Sequence, residues 1–304
     1  MTHSGLLLVD KESGWTSHDV VQRARRVFGQ RKIGHCGTLD PAATGLLVLT
    51  LGKATRLTRF LISAPKSYSG TVRFGISTDT YDASGKVTAE KPIDTVSEEA
   101  VRSAIAGMVG SIEQAAPAYS AKKIHGVKYY ELARRGEEVP TTFKRITIFD
   151  FHCDGELRDG RMNFTLSCST GTYVRSIAND LGEALGCGGH LEVLRRLAVG
   201  PFGVADARTF GSLAEQEVTE PQALGSAWIP FDAIPLPFRE VNADGRQERR
   251  ITHGQTVLIR GADCEEGDWI KLVNQRNQLI AVGSVVETIG DRGVGVVRPR
   301  IVFR

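Results

Sequence analysis

The stretch from Lys32 to Gly52 constrains this chain more than any other. It reads KIGHCGTLDPAATGLLVLTLG, a loop punctuated by Gly34, Gly37 and Gly45 that feeds a continuously apolar run expected to be a strand. Pro41 restricts the preceding Asp40 to extended or turn geometry, so the carboxylate is expected on a stiff loop. With His35 five residues upstream, Asp40 has the makings of a poised nucleophile. Asp-Pro in a turn is equally ordinary turn chemistry, and the residues alone leave both readings open.

The flanking segments supply a scaffold. Gly5–Lys11 reads as a buried strand ending in a charged turn, and Thr16 or Ser17 can cap a helix over about His18 to Phe28 with Val20, Val21, Ala24 and Val27 on one face. Lys53–Ile62 is expected to be helical. Ser67–Ile76 alternates like a strand, with Tyr68, Gly70, Val72 and Phe74 in phase. Ser77–Gly85 has the composition of a surface loop. Ser97 caps a helix over Glu98–Met108, whose two leading glutamates favour its positive end. Arg161–Cys168 alternates again and runs through GTYVRSIANDLG, where Arg175 stands at the start of a helix ending near Leu185.

Two further regions differ in texture. Between Pro117 and Arg145, Lys122, Lys123, His125, Lys128, Arg134, Arg135, Lys144 and Arg145 interleave with Tyr119, Tyr129 and Tyr130. Bases with aromatics can clamp a phosphate backbone and stack on unpaired bases. A solvated face over a short helix with Tyr129, Leu132 and Ala133 inward is the plainer alternative. After Pro230, Pro235 and Pro237, Val241–Arg304 reads as closely spaced short strands, expected to form a small barrel.

At 304 residues the chain can hold a large domain and a small one, and a hydrophobic share of 41% supplies a full core. Net charge is only +3, so any nucleic-acid surface must come from local clustering. Cys36, Cys153, Cys168, Cys187 and Cys264 are scattered without a CxxC pair, which argues against a zinc site or disulfide framework and suits a reducing compartment. Neither a leader-like segment nor a run of membrane-spanning length is visible. The chain is expected to be soluble and cytoplasmic.

GHCGTLDPAATGLLVLTLGKATR resembles the signature loop of the TruB family, the bacterial tRNA pseudouridine-55 synthases, and similar matches recur from Gly5 to about Gly200. The resemblance implies that Asp40 is catalytic, that Arg175 pairs with it, and that Tyr68 stacks on the target base and is implicated in removing the C5 proton. It further implies that His35 fills the space left by the flipped base. Asp82 would join the arginine network, Tyr173 would lie in the pocket and Leu194, in HLEVLRRL, would pack against the base. Lys11 is expected to support the active-site loop and to stand among the substrate-binding residues; a solvated lysine is as compatible with the residues. The family's Lys-Pro-x-Gly opening has Glu12 in place of proline here, so a looser turn is expected. Lys122 and Lys123 fall in the thumb-like insertion, about 117–145, that would close on the RNA.

The resemblance therefore implies an α+β fold. A pseudouridine synthase domain over 1–236, with a mixed central sheet and an RNA-binding cleft, would precede a small all-β PUA-like RNA-binding domain over 237–304. Ile251–Gln255 and an Ala281-Val282-Gly283 turn carry that last match. The implied reaction breaks the N1–C1′ bond of a T-loop uridine, turns the uracil and joins C5 to C1′, with the base flipped out of its stack. The carboxylate would attack C1′ or remove the 2′ hydrogen. No metal or organic cofactor is called for, and the partner is the tRNA T arm with no obligatory protein. Two other readings stay open: a guide-RNA-dependent relative of the dyskerin type, and a non-catalytic RNA-binding or RNA-folding protein.

Overall fold

Residues 2–94, 96–117, 119, 123, 124, 127–129, 132, 135, 137, 139–211, 221–260, 264–289 and 294–303 are described by the computed structural model of the protein. The strands of its main sheet are β1 (Gly5–Lys11), β2 (Ile33–His35), β3 (Thr44–Leu51), β4 (Lys66–Phe74), β7 (Gly110–Ala115), β10 (Phe143–Arg158), β11 (Arg161–Cys168), β12 (Gly189–Val199), β13 (Phe202–Gly203) and β14 (Trp228–Pro230). Two small hairpins come from β5 (Ile76–Thr78) with β6 (Val87–Glu90), and β8 (Lys123–Ile124) with β9 (Val127–Lys128). The order across the main sheet is β14-β1-β3-β12-β4-β11-β10-β7, with β2 on β3 and β13 on β12. Among the described residues the β3–β12 pairing is the parallel one in this otherwise antiparallel sheet, so the sheet is mixed.

The apolar run becomes β3 because both of its faces are covered. Leu47 and Leu49, with Leu7 and Val9 of β1, pack against Val20, Val21 and Ala24 of helix α1 (Ser17–Val27). Thr16 caps that helix in a reciprocal box with Asp19. Leu46 and Val48, with Leu6 and Leu8, pack on the other face against Leu279, Val282, Ile301 and Phe303 of the C-terminal strands. The other half of the sheet is one-sided. Tyr68, Val72, Phe74, Phe164, Leu166, Ile146 and Ile148 share a core with Val101 and Ile105 of α3 (Glu98–Gly107) and Ile177 and Leu181 of α4 (Val174–Ala184). Its opposite face carries polar pairs such as Thr71–Asn163 at 2.7 Å and Thr165–Asp154 at 2.6 Å.

The C-terminal strands are β15 (Arg239–Asn242), β16 (Val257–Ile259), β17 (Trp269–Val273), β18 (Leu279–Ile289) and β19 (Val294–Val302), with helix α5 (Gly245–Thr252) packed on them. Among the described residues they pair in the open order β15-β17-β18-β19-β16, not as a closed ring. The expected turn at Ala281–Gly283 is instead strand interior. Gly283 is required there because a Cβ would lie 2.7 Å from the Val297 side chain and 2.9 Å from the Arg298 carbonyl oxygen. Lys53–Ile62 is a 3-10 turn followed by the short helix α2 (Thr58–Leu61). Thr55 and Thr58 each donate to a carbonyl three residues back, at 2.8 and 3.0 Å, which favours the tighter turn over a continuous helix. Ile33–His35, expected as loop, pairs with β3.

Candidate active site

The loop carrying Asp40 leaves β2 at His35 and re-enters the sheet at β3, held at nearly every step by buried groups. Cys36 N–H donates to Val48 O at 2.9 Å. Ser17 accepts from Leu39 N–H at 2.8 Å and donates to Leu39 O at 3.2 Å. Lys11 is 1% exposed and donates its ammonium to Glu12 O, Trp15 O and Pro41 O at 2.9, 2.8 and 3.1 Å. Gly14 N–H also donates to Pro41 O, at 2.9 Å. The turn with Glu12 in place of proline is thus tied from inside by Lys11, not loose. All three Lys11 donors go to backbone, so it supports the loop and has no free donor for a substrate; burial pushes its pKa down to about 8, against the pull of Asp40.

Asp40 meets Arg175 at the start of α4. Arg175 Nε lies 2.9 Å from Asp40 Oδ2 and Nη2 lies 3.5 Å from Oδ1, a two-pronged grip. The same guanidinium reaches Asp82 Oδ2 at 3.4 Å through Nη1, and donates to Thr80 O at 3.1 Å and Tyr119 O at 3.0 Å. Arg175 is 7% exposed while Asp40 is 41% exposed, so the cation is walled in and the carboxylate is the solvent-accessible member of the pair. Protein atoms crowd that carboxylate, and burial raises its pKa; Arg175 pulls it back and Asp82 pushes it up. Asp82 is fixed in turn, accepting from Thr80 Oγ1 at 2.8 Å and from Ser84 N–H and Oγ at 3.0 and 2.5 Å. Its loop is stitched to β12 by Ala83 N–H to Leu191 O and Leu191 N–H to Tyr81 O, both at 3.0 Å.

Tyr68 lies on β4 and is 8% exposed; burial raises its pKa, opposed by the guanidinium of Arg196 beside its hydroxyl. Leu194 on β12 is partly buried against the core cluster that contains Tyr68 and Leu39. His35 sits on β2 opposite Leu49, and burial lowers its pKa, so its ring is neutral near pH 7. Its Nδ1 has no hydrogen-bond partner among the described residues. Tyr173 is half-buried at the N-terminus of α4, its N–H and carbonyl both paired with the Gln114 amide, at 2.8 and 3.0 Å. Tyr129, read from sequence among possible stacking aromatics, is fully buried, and its hydroxyl lies 3.3 Å from Thr142 Oγ1. Lys122 and the Lys123 side chain lie outside the described residues.

Residues 25–174 match the family TruB family pseudouridylate synthase (N terminal domain), and 175–234 match tRNA pseudouridylate synthase B C-terminal domain. The chain belongs to the TruB family of tRNA pseudouridine synthases. The junction between the two matched TruB regions falls at Arg175, inside one continuous core, since β12 inserts between β3 and β4. Curated relatives named tRNA pseudouridine synthase B include those of Arthrobacter sp. (strain FB24), 42% identical over 99% of this chain and 96% of the relative, and Paenarthrobacter aurescens (strain TC1), 46% identical over 99% and 95%. The chain is therefore an isomerase acting on tRNA. A solved Cbf5-Nop10-Gar1 complex shares the fold, with a TM-score of 0.76 at 24% identity over 98% of this chain and 85% of that one.

Sequence reasoning missed Arg196 and Ser17, whose side chains bond the backbone of the loop that carries Asp40. A signal was available for the first: adjacent Arg195 and Arg196 on a strand must face opposite sides of the sheet, and one of those sides is core.

Proposed function

We propose that the chain converts the T-loop uridine at position 55 of tRNA to pseudouridine, with Asp40 as the catalytic carboxylate. The observation that carries this is the asymmetry of the central ion pair: a walled-in Arg175 grips an Asp40 whose carboxylate remains accessible. Burial alone would leave Asp40 protonated more readily; the guanidinium favours the ionised form that either attack at C1′ or removal of the 2′ hydrogen requires. Arg175 therefore touches the reacting carboxylate and keeps it charged and aimed.

The uridine cannot react while stacked, so it is flipped into the cleft at the energetic expense of unstacking. Tyr68 and Leu194 flank the uracil, and the neutral imidazole of His35 suits the vacated stacking space as a flat, partly polar plug. Tyr68, as the phenolate that the Arg196 charge favours against burial, takes the C5 proton once C5 has joined C1′ and becomes the neutral phenol. Asp82 holds the far prong of Arg175, and Tyr173 borders the pocket. Lys122 and Lys123, in the basic segment before β10, contact phosphates of the T arm. The C-terminal strands form a PUA-like RNA-binding unit over 237–304, following a catalytic unit over 1–236. The chain acts in the cytoplasm as a stand-alone enzyme without cofactor or obligatory protein partner. Among the described residues no helix is long and apolar enough to cross a membrane.

The test is tritium release from C5-labelled uridine in unmodified tRNA, comparing the native protein with Asp40→Asn. Release by the native protein alone, mapped to the T loop, supports the assignment. Equal release by both proteins places the chemistry on another residue.

A further inference from the structure

Arg196 takes no part in the reaction as described, yet among the described residues it is the largest fully buried side chain, at 1% exposure. Its neighbour Arg195 faces the other side of β12 and is neutralised by Asp10 through bonds of 2.9 and 2.7 Å. Among the described residues Arg196 has no such carboxylate partner. Its donors go to carbonyls instead: Nη2 to Gly37 O at 3.0 Å, Nη1 to Thr38 O at 3.3 Å and Nε to Leu46 O at 2.7 Å. Two of these carbonyls precede Asp40 and one follows it, so a single guanidinium staples both ends of the catalytic loop.

The backbone of Arg196 is equally constrained. It lies opposite Gly45 on β3 and opposite Tyr68 on β4. A Cβ at Gly45 would fall 2.3 Å from Arg196 O, so only glycine admits this approach. Across the β12–β4 pairing Arg196 stands opposite Tyr68, and its positive charge pulls against the burial that raises the phenol's pKa. An unpaired buried cation is costly, and an apolar side chain of similar volume would fill the space without that cost, so packing does not account for an arginine here.

We propose that Arg196 is a positioning residue for the isomerisation, holding the Asp40 loop and the Tyr68 hydroxyl in one fixed relation across the uracil site. This rests on the roles given above to Asp40 and Tyr68. The fork supplies what a point charge does not: separate donors aimed at Gly37, Thr38 and Leu46 from a side chain that stands opposite Tyr68. Its charge also favours the phenolate of Tyr68, whose other charged or titratable neighbours are Cys168 and Asp40.

The experiment compares native protein, Arg196→Lys and Arg196→Met in single-turnover tritium release, tRNA binding and the pH profile of the rate. Rates are normalised to the fraction of each preparation that binds tRNA, so partial misfolding does not obscure the result. A loop displaced by about 1 Å is expected to slow Arg196→Lys on the order of 10²-fold per binding-competent molecule. Its tRNA Kd should stay near native, and the alkaline rise in rate of Arg196→Met should move to higher pH. A native rate per competent molecule, or a loss no larger than the fall in competent fraction with a superimposable pH profile, would overturn the proposal. Asp40→Asn in the same assay separates the two levels. Retained release there sinks the underlying assignment, whereas a dead Asp40→Asn beside a native-like Arg196→Lys sinks only the role of Arg196.

Discussion

Replacing Arg175 with lysine isolates what the guanidinium does beyond carrying charge. Five acceptor contacts converge on it: both oxygens of Asp40, Asp82 Oδ2, Thr80 O and Tyr119 O. A single ammonium on a shorter head cannot reach all of them. If it stays with Asp40, the carbonyls of Thr80 and Tyr119 lose their donor, at about 1–3 kcal/mol each when buried. Water entering from the cleft relieves part of this, so a net stability loss of about 2 kcal/mol is expected. The kinetic effect should be larger in proportion. A carboxylate shifted by about 1 Å loses on the order of 10²-fold in rate, equivalent to about 2.7 kcal/mol of transition-state stabilisation. Single-turnover tritium release, run beside tRNA binding and a urea melt, reads all three quantities. A Lys variant that releases tritium within about fivefold of native, with stability lowered as expected, would refute the claim that fork geometry rather than charge positions Asp40.

Other expectations follow from the same contacts. Because burial raises the Asp40 pKa above its ordinary 3.8, the rate should fall at a higher pH on the acid side than a free carboxylate would give. The sign for stability is opposite: ionised Asp40 costs stability above the unfolded pKa, and that cost is relieved as pH falls through the raised folded value. In Arg175→Lys the acid limb should move further up, and a limb that stays put would contradict the pairing. Gly45→Ala forces a side chain onto a φ of +98° and against Arg196 O, so a loss of at least about 2–3 kcal/mol in urea unfolding is expected; an unchanged midpoint would contradict the close β3–β12 approach. Neutralising Lys122 and Lys123 together should weaken tRNA binding and reduce its log–log salt slope by roughly 1–2 units, and unchanged affinity would exclude them from the RNA surface.

The chain's local chemistry was largely legible as text. Thr16, one of the two expected candidates, and Ser97 cap their helices, because capping is settled within one turn of backbone. The alternation in Lys66–Phe74 and Arg161–Cys168 marked one-sided strands, because a period of two survives whatever packs on it. The length and specificity of the Gly34–Gly45 motif pointed to Asp40 and, through the family resemblance, to Arg175, which lies 135 residues away in the chain and within 2.9 Å in the fold.

Other features depended on partners that no local window contains. Lys11 and Arg196 look like surface cations in sequence, and became buried clamps only because β1, β3, β4 and β12 converge beneath one loop whose carbonyls need donors. His190–Leu197 gave little sign of being a central strand, since Glu192 and Arg195 find their opposite charges on the remote Arg161 and Asp10. Gly283 read as a turn until Val297 and Arg298 occupied the space its side chain would need. By itself the sequence determined the periodicities, the caps and the glycine-punctuated loop that carries Asp40, which are properties of neighbouring residues. Only the tertiary structure decided which cations are buried and what they hold, because the burial of a charge is set by the surfaces that close over it.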